Sequence, residues 1–378
     1  MQVEQKCWSQ QQGGWSQELG GLNRSALVLV FGSPGALRYG TALAELQNAY
    51  PDAALFGCST AGEIVDTTVQ DESIVATAIE FAEAGVEIVS GSVSDSTCSF
   101  ETGRALSQRI SHDGLVHVLV LSDGLHVNGS ELVRGLQDGL PGQVSITGGL
   151  SADGDQFKET FVVANGSPAS RSVALVGFYG SKLKVAYASL GGWDSFGSER
   201  LVTRSDGNVL YELDGRSALD LYKQYLGEHA AGLPATGLLF PLSIRQGQED
   251  TPVVRTILGV NEENQSLTFA GDIPVGAYAR LMKANFDRLI DGASDAAQVT
   301  RGSVADAPEL ALLVSCVGRR MVLKQRIEEE VEAVRDVLGA DCTITGFYSY
   351  GEISPFTPNA RCELHNQTMT ITTLRETA

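Results

Sequence analysis

The sequence predicts a mixed α/β protein whose sheets are covered by helices, arranged as two domains with internally duplicated strand–helix–strand–loop–hairpin units. Three observations predict it. Apolar, β-branched runs end in glycine and read as buried strands. Each is followed by a stretch with apolar residues at helical spacing. A second short strand then enters a loop of the form G-x-x-x-x-G-[ED], which recurs three times.

The elements can be taken in order. The first 21 residues, MQVEQKCWSQQQGGWSQELGG, are polar and lack the apolar centre of a signal peptide. Ala26–Gly32 (ALVLVFG) reads as a strand, and Leu37, Leu43 and Leu46 follow at helical spacing. Pro51 stands just past that helix, where proline is a common stop. AALFG is the second strand, running into Gly57-Cys-Ser-Thr-Ala-Gly-Glu63. The scheme returns at Val116–Asp155, with Ser130 as the expected N-cap of the helix and Gly149-Leu-Ser-Ala-Asp-Gly-Asp155 as the loop. The strand-ending and loop glycines are 25 residues apart in both copies, Gly32 to Gly57 and Gly124 to Gly149.

The third copy opens with Ala311–Gly318. Its helix carries Ile327, Val331, Val334 and Leu338 on one face and stops at Gly339. The loop is Gly346-Phe-Tyr-Ser-Tyr-Gly-Glu352. A degenerate fourth copy is expected over Asn208–Asn285, without the loop. Two or three strands follow each loop. Units of roughly 70–90 residues are too long for a solenoid, so two units per domain is the natural packing.

Composition narrows the function. In 378 residues there are 27 Lys+Arg against 46 Asp+Glu, a formal charge of −19. That disfavours nucleic acid, whose binding rests on Lys and Arg displacing counterions, and disfavours an anionic membrane surface. The longest apolar runs are far too short to span a bilayer. The six cysteines, Cys7, Cys58, Cys98, Cys316, Cys342 and Cys362, form no CxxC pair and read as reduced thiols. A cytoplasmic protein is expected.

The recurring loop lies where a strand ends, the edge at which α/β sheets take ligands, and its paired glycines allow close backbone approach. Each copy closes on a carboxylate: Glu63, Asp155 and Glu352. Cys58, Ser59, Thr60, Ser151, Tyr348, Ser349 and Tyr350 lie inside. Such a set suits a small polar ligand, for example its ammonium group. Equally, the glycines make a tight corner and the carboxylate caps backbone amides. Catalysis is weakly supported. GCSTAG has one residue too many for the G-x-S-x-G elbow, and nothing local activates Cys58. Neither a phosphate-cradling G-x-x-x-x-G-K-[ST] nor a G-x-G-x-x-G is present.

The five histidines show no zinc spacing. His117 lies in an apolar strand and reads as a satisfied core residue. His126 and His365 stand near the expected ligand edge, where an imidazole suits haem iron. Phe347, Tyr348, Tyr350 and Phe356 offer aromatic surface there, and Arg319, Arg320 and Arg361 offer charge for an anionic group.

FGCSTAGEI, GRSALDLYKQYLG, RTILGVNEENQSLTFAGDIPVGAYARLMKAN, SCVGRRMVL, GFYSYGEISP and LHNQT strongly resemble FIST proteins, over roughly Ala26 to Leu374. The resemblance implies a polar extension (1–24), an N-terminal FIST domain (25–205) and a C-terminal FIST domain (206–378). It implies a bacterial sensory, ligand-binding module, with amino acids among the proposed ligands. Nothing follows Ala378, so a stand-alone member is expected, similar to the nitric-oxide-sensing haem type of the family (NosP), whose partner is a histidine kinase or cyclic-di-GMP enzyme. His365 as iron ligand is an inference from position and chemistry. Expected ligand-site residues are thus Cys58, Ser59, Thr60, Glu63, Arg319, Arg320, Tyr348, Tyr350 and Glu352, with a sensor of an amino acid or similar metabolite as the alternative, and a Ser/Cys hydrolase behind it.

Overall fold

The computed structural model describes residues 1–22, 24–38, 41–247, 252–304, 306–356 and 360–377. Three strand–helix–strand units are present, each with a parallel strand pair: Leu27–Gly32 with Ala54–Ser59, Leu115–Ser122 with Ser145–Leu150, and Leu310–Cys316 with Thr343–Ser349. The first strands of these pairs are apolar almost throughout and buried on both faces, as a covered parallel pair requires. A long antiparallel strand flanks each pair: Ser73–Glu80, Ser172–Tyr179 and Met369–Glu376.

The sheets are completed by exchange. The strand after the first loop, Glu63–Val65, leaves its own unit and pairs with Thr343–Ser349 of the third. Val162–Ala164, after the second loop, pairs with Ala54–Ser59 of the first. Gly351–Pro355, after the third, pairs with Ser145–Leu150 of the second. The next strands along the chain cross over too: Gly85–Ser92 joins the second unit's sheet, Leu183–Leu190 joins the third's, and the N-terminal Gln2–Ser9 joins the first's. Three six-stranded sheets result, related by an approximate threefold. Their inner faces share one core, in which Phe31 stacks on Phe347 with ring centroids 4.7 Å apart.

The expected fourth copy is not there. Val209–Leu213 and Leu242–Arg245 do not pair with each other; both lie in an antiparallel sheet built between Asp194 and Lys283. The helix Ala218–Leu226 packs its apolar face on this sheet's own core. This mixed α/β layout has two halves, and the exchanged strands stitch them together.

Helices cover the outer faces. The helix of the second unit is Gly129–Gly139, and its N-cap is Asn128 rather than Ser130: the Asn128 side chain accepts from the amides of Ser130 and Glu131. This helix packs closely on Ser99–Arg109, where Gly135 faces the Phe100 carbonyl with no room for a Cβ, which would lie 2.0 Å away. The helix Ile327–Leu338 stops at Gly339, φ 89°, as its sequence predicts. No helix among the described residues is long and apolar enough to cross a membrane.

Candidate functional site

The three loops meet around the threefold. Gly57, Gly148 and Gly346 stand opposite Val30, Val120 and Leu313, and a Cβ on any of them would fall 1.7, 1.8 and 2.0 Å from the facing carbonyl oxygen. Glycine is obligatory there for close backbone approach. Four residues on, an amide donates to the next unit: Ala61 N to the Tyr348 carbonyl (2.8 Å), Ala152 N to the Ser59 carbonyl (2.9 Å), and Tyr350 N to the Leu150 carbonyl (3.3 Å). The three bonds close a ring.

This registration corrects the second loop. Its equivalent glycine is Gly148, not Gly149, so Gly154 stands where the other copies carry glutamate, and Asp155 is exposed. The buried carboxylate of this loop is Asp153, which accepts from the amides of Phe157, Lys158 and Glu159 and from the Tyr350 hydroxyl.

Glu63 and Glu352 are fully buried. Glu63 takes hydrogen bonds from Thr60 Oγ1 and from Ser73 Oγ (2.6 Å). Glu352 takes them from Ser349 Oγ (2.8 Å), Thr368 Oγ1 (2.9 Å) and Thr368 N (3.2 Å). Burial disfavours the charged form and outweighs these bonds, lifting both carboxyls to about 8. No hydrogen bond joins the two clusters. Ser59 is sealed as well, its Oγ accepting from Phe161 N at 2.9 Å, and burial raises the Cys58 thiol well above its usual range. Neither is placed to attack a substrate.

The remaining expected residues brace the interior. Arg319, with no exposed surface, donates from Nε (2.9 Å) and Nη2 (2.7 Å) to Glu330, from Nη1 to the Gly191 carbonyl (2.9 Å), and from Nη2 to the Leu289 carbonyl (2.6 Å). The buried Tyr348 hydroxyl donates to Glu330 Oε1 (2.7 Å). Arg320 pairs with Asp71 and reaches the Ala61 carbonyl. Of the expected set, Tyr350 lines one of the two clefts described below; it stacks on Phe157, ring centroids 4.5 Å apart.

His365 does not fit haem. Its ring is fully buried, Nε2 donates to the Ser354 carbonyl (2.7 Å), and Phe356 packs edge-on at 4.2 Å. Its Nδ1 has no partner, but His365 lines neither cleft described below. Burial lowers its pKa to about 4, so the ring is neutral. Arg319 and Arg320 are committed to protein partners and not to propionates. His117 is a satisfied core residue, bonded to Ser145 Oγ (2.7 Å) and Thr147 Oγ1 (3.0 Å). Among the described residues no group of three or more His, Cys, Asp or Glu is gathered for a metal ion.

Two clefts lie in the seam between the halves, one at the N-cap of the helix Gly129–Gly139 and one along its side. The smaller, about 230 Å³, is lined by Gly124–Asn128 residues, Phe157 and Leu150 from one side and by Asn208, Gly271 and Tyr350 from the other. The larger, about 590 Å³, runs along Ser130, Val133, Arg134 and Gln137 and faces Arg245, Arg255 and the stretch 360–364. Between them Asn128 Nδ2 donates to Asp272 Oδ1 across the seam (2.9 Å). Arg255, 5% exposed, donates to the Leu364 carbonyl (2.8 Å) and the Asp272 carbonyl (3.3 Å). Sequence reasoning missed this arginine, although an Arg inside the apolar run VVRTIL is a signal for a buried, tethered charge.

The family comparisons agree with the division into halves. The FIST N domain matches residues 26–216 and the FIST C domain matches residues 218–355. An uncharacterized protein of Methanocaldococcus jannaschii is 27% identical over 206 residues, 50% of this chain; the matched stretch spans 38% of that protein's length. A crystal structure of cyanuric acid hydrolase from A. caulinodans superposes over 94% of this chain and 90% of its own, with 8% identity and a TM-score of 0.35, a likeness too low to bear on fold or activity.

Proposed function

The chain belongs to the FIST family, a family of signal-transduction sensors of small ligands, and from that premise we propose that it holds its ligand in the seam between its halves. It acts in the cytoplasm as a binding protein without catalysis of its own, and its partner is a histidine kinase or a cyclic-di-GMP enzyme. The observation that carries the reading is the placement of both clefts. Each has one wall from the N-terminal half, at the helix Gly129–Gly139 or its N-cap, and one wall from the antiparallel sheet with Tyr350, or with Phe356 and residues 360–364, of the C-terminal half. A ligand bridging the walls is read as closure of the seam, with the Asn128–Asp272 bond as its hinge point. Closure presses on Leu364, which pairs with Ile353, the residue after Glu352 of the third loop.

The two glutamate loops support the sensor as scaffold. Their carboxylates are enclosed and satisfied by neighbouring hydroxyls, so a metabolite such as an amino acid is placed in the seam and not on Glu63 or Glu352. Haem and nitric oxide have no part in this reading, because His365 is enclosed and bonded to a carbonyl.

A thermal-shift screen of metabolites, followed by hydrogen exchange on the hits, tests it. Expected is a compound that raises Tm and slows exchange in residues 129–139 and 271–274. Failure of every compound to do both, with a partner kinase unaffected by the protein's presence, would sink the reading.

A further inference from the structure

We propose that the larger cleft binds a small organic anion with an apolar body, its carboxylate or phosphoryl head held by Arg255 and Arg361. The inference rests on the seam reading above and deepens it by naming a ligand class.

The cleft's lining carries four guanidinium groups, Arg134, Arg245, Arg255 and Arg361, against the carboxylates of Asp272 and Glu363. That gathers four of the 27 Lys and Arg of the chain on one cleft. Two of the four are tied to carboxylates outside the lining: Arg134 to Glu131, and Arg245 to Glu199 through two bonds of 2.8 and 2.7 Å. Asp272 accepts from the neutral Asn128 amide, and Asp272 and Glu363 lie close enough to Arg255 to favour its charged form. Arg255 is held in place by two backbone carbonyls, and a Cβ on Gly271 would meet its Nε at 2.8 Å, so the missing side chain is what lets it lie there. Arg361 is exposed and has no hydrogen bond or ion pair among the described residues. A fixed guanidinium and an uncommitted one on the lining of the same cleft are a set suited to a planar or tetrahedral anion held through two or more charged bonds.

The rest of the lining sets the body. Val133, Ile244, Val253, Pro274, Phe356 and Leu364 present apolar surface. The Ser130 hydroxyl is buried, lines the cleft and has no partner among the described residues, which leaves a donor or acceptor for a ligand's polar group. At about 590 Å³ the space suits a ligand of metabolite size.

Calorimetric titration of the full chain with 4-phenylbutyrate, 4-phenylbutyl phosphate and 4-phenylbutan-1-ol tests the inference, since the three probes share a body and differ in head. At least one anion is expected to bind about tenfold tighter than the alcohol or better, the worth of one charged hydrogen bond. Arg361→Gln is expected to weaken that anion about tenfold. Which anion wins separates a carboxylate head from a phosphoryl one. Arg255→Lys, which keeps charge but loses the fork, is expected to weaken it as well; because Arg255 also holds the Leu364 carbonyl, that result counts only alongside Arg361→Gln. Equal binding of alcohol and anions, no binding of any probe, or an Arg361→Gln protein that binds the anion unchanged would each overturn the inference. If a neutral or cationic metabolite still protects the seam from exchange, the sensor reading stands without it; if none does, both fall.

Discussion

Glu63 and Glu352 occupy the same place in two copies of one unit: each lies six residues after the glycine that packs on the neighbouring strand, and each accepts from a hydroxyl three residues before it, Thr60 and Ser349. Glu63 leads into a strand that joins the third sheet and Glu352 into one that joins the second, so each carboxyl sits where the chain leaves its own unit. A buried, hydrogen-bonded group at a crossover fixes where the exchange begins. The third crossover has Gly154 at this place and uses Asp153 instead, with its three amide bonds.

That burial predicts an alkaline loss of stability. Both folded-state values, about 8, lie above the ordinary 4.5. Between those pH values the folded state binds more protons than the unfolded one, so stability falls as pH rises from about 4.5 to about 8 and is level beyond. Glu63→Gln and Glu352→Gln keep a neutral, hydrogen-bonding side chain and remove the titration. The Tm of each variant, followed from pH 5 to 9, should show a shallower decline than the parent; a parallel decline would mean the carboxyls are not the cause.

The histidines work in the opposite direction. His365, about 4, and His117, about 3, lie below the ordinary 6.5 because burial disfavours the imidazolium. The unfolded state then binds more protons between about 6.5 and 4, so stability falls as pH drops through that window. Urea midpoints for His117→Asn, which retains polar contact with Ser145 and Thr147, should depend less on pH there than those of the parent.

The ring glycines give a sharper test. Ala at Gly57, Gly148 or Gly346 sets a methyl within 2.0 Å of a backbone carbonyl, which cannot move without parting two paired strands. Overpacking of this kind costs at least about 1–3 kcal/mol, and more where the backbone must shift. Gly142, with nothing within 4 Å of an added Cβ, is the control; its Ala variant should stay within about 0.5 kcal/mol. Chemical denaturation of the four variants decides it, and a tolerated Ala at any ring position would contradict the close approach.

Much of this was legible in the sequence, and the failures have physical causes. The three units could be read because each element is local: an apolar run, a helical period, a glycine stop. The one-residue error in the second loop arose because Gly148 and Gly149 adjoin, and spacing to Asp155 favours the wrong one; only the facing Val120 carbonyl selects Gly148. Strand exchange was invisible because Glu63–Val65 pairs with residues some 280 positions away, and no local pattern marks a distant partner. The supposed fourth copy had the right order of strand, helix and strand, but order does not specify pairing, and those strands take antiparallel neighbours. The larger cleft gathers Arg134, Arg245, Arg255 and Arg361 from well-separated segments, whereas of the adjacent Arg319 and Arg320, conspicuous in sequence, the first is buried on Glu330 and the second pairs with Asp71.

Haem provides an independent check on the His365 geometry. Its Nε2 is engaged with the Ser354 carbonyl and Phe356 covers the ring, so iron has no approach without both moving. Protein mixed with haem should therefore give the same visible spectrum as the His365→Gln variant under the same conditions. A Soret band present in the parent and shifted or lost in the variant would show that the ring can open to a metal.

The last prediction concerns Arg319 and Glu330, both without exposed surface and joined by two bonds of 2.7 and 2.9 Å. The pair links the third unit's strand, through Ser315, to its outer helix, and links both to the carbonyls of Gly191, ahead of the strand Asp194–Asp206, and of Leu289 in the helix Phe286–Gly302. Removing one member leaves the other charged and enclosed, which costs about 3–5 kcal/mol. Arg319→Met and Glu330→Gln should each lose stability on that scale. The double variant should lose less than the sum, because it removes both charges and leaves mainly the unmet carbonyls and the Tyr348 hydroxyl. A double-mutant cycle by urea denaturation measures the coupling. Strict additivity would mean that the two side chains do not act as a pair and that the junction of the third unit with Gly191 and the helix Phe286–Gly302 is held by packing alone.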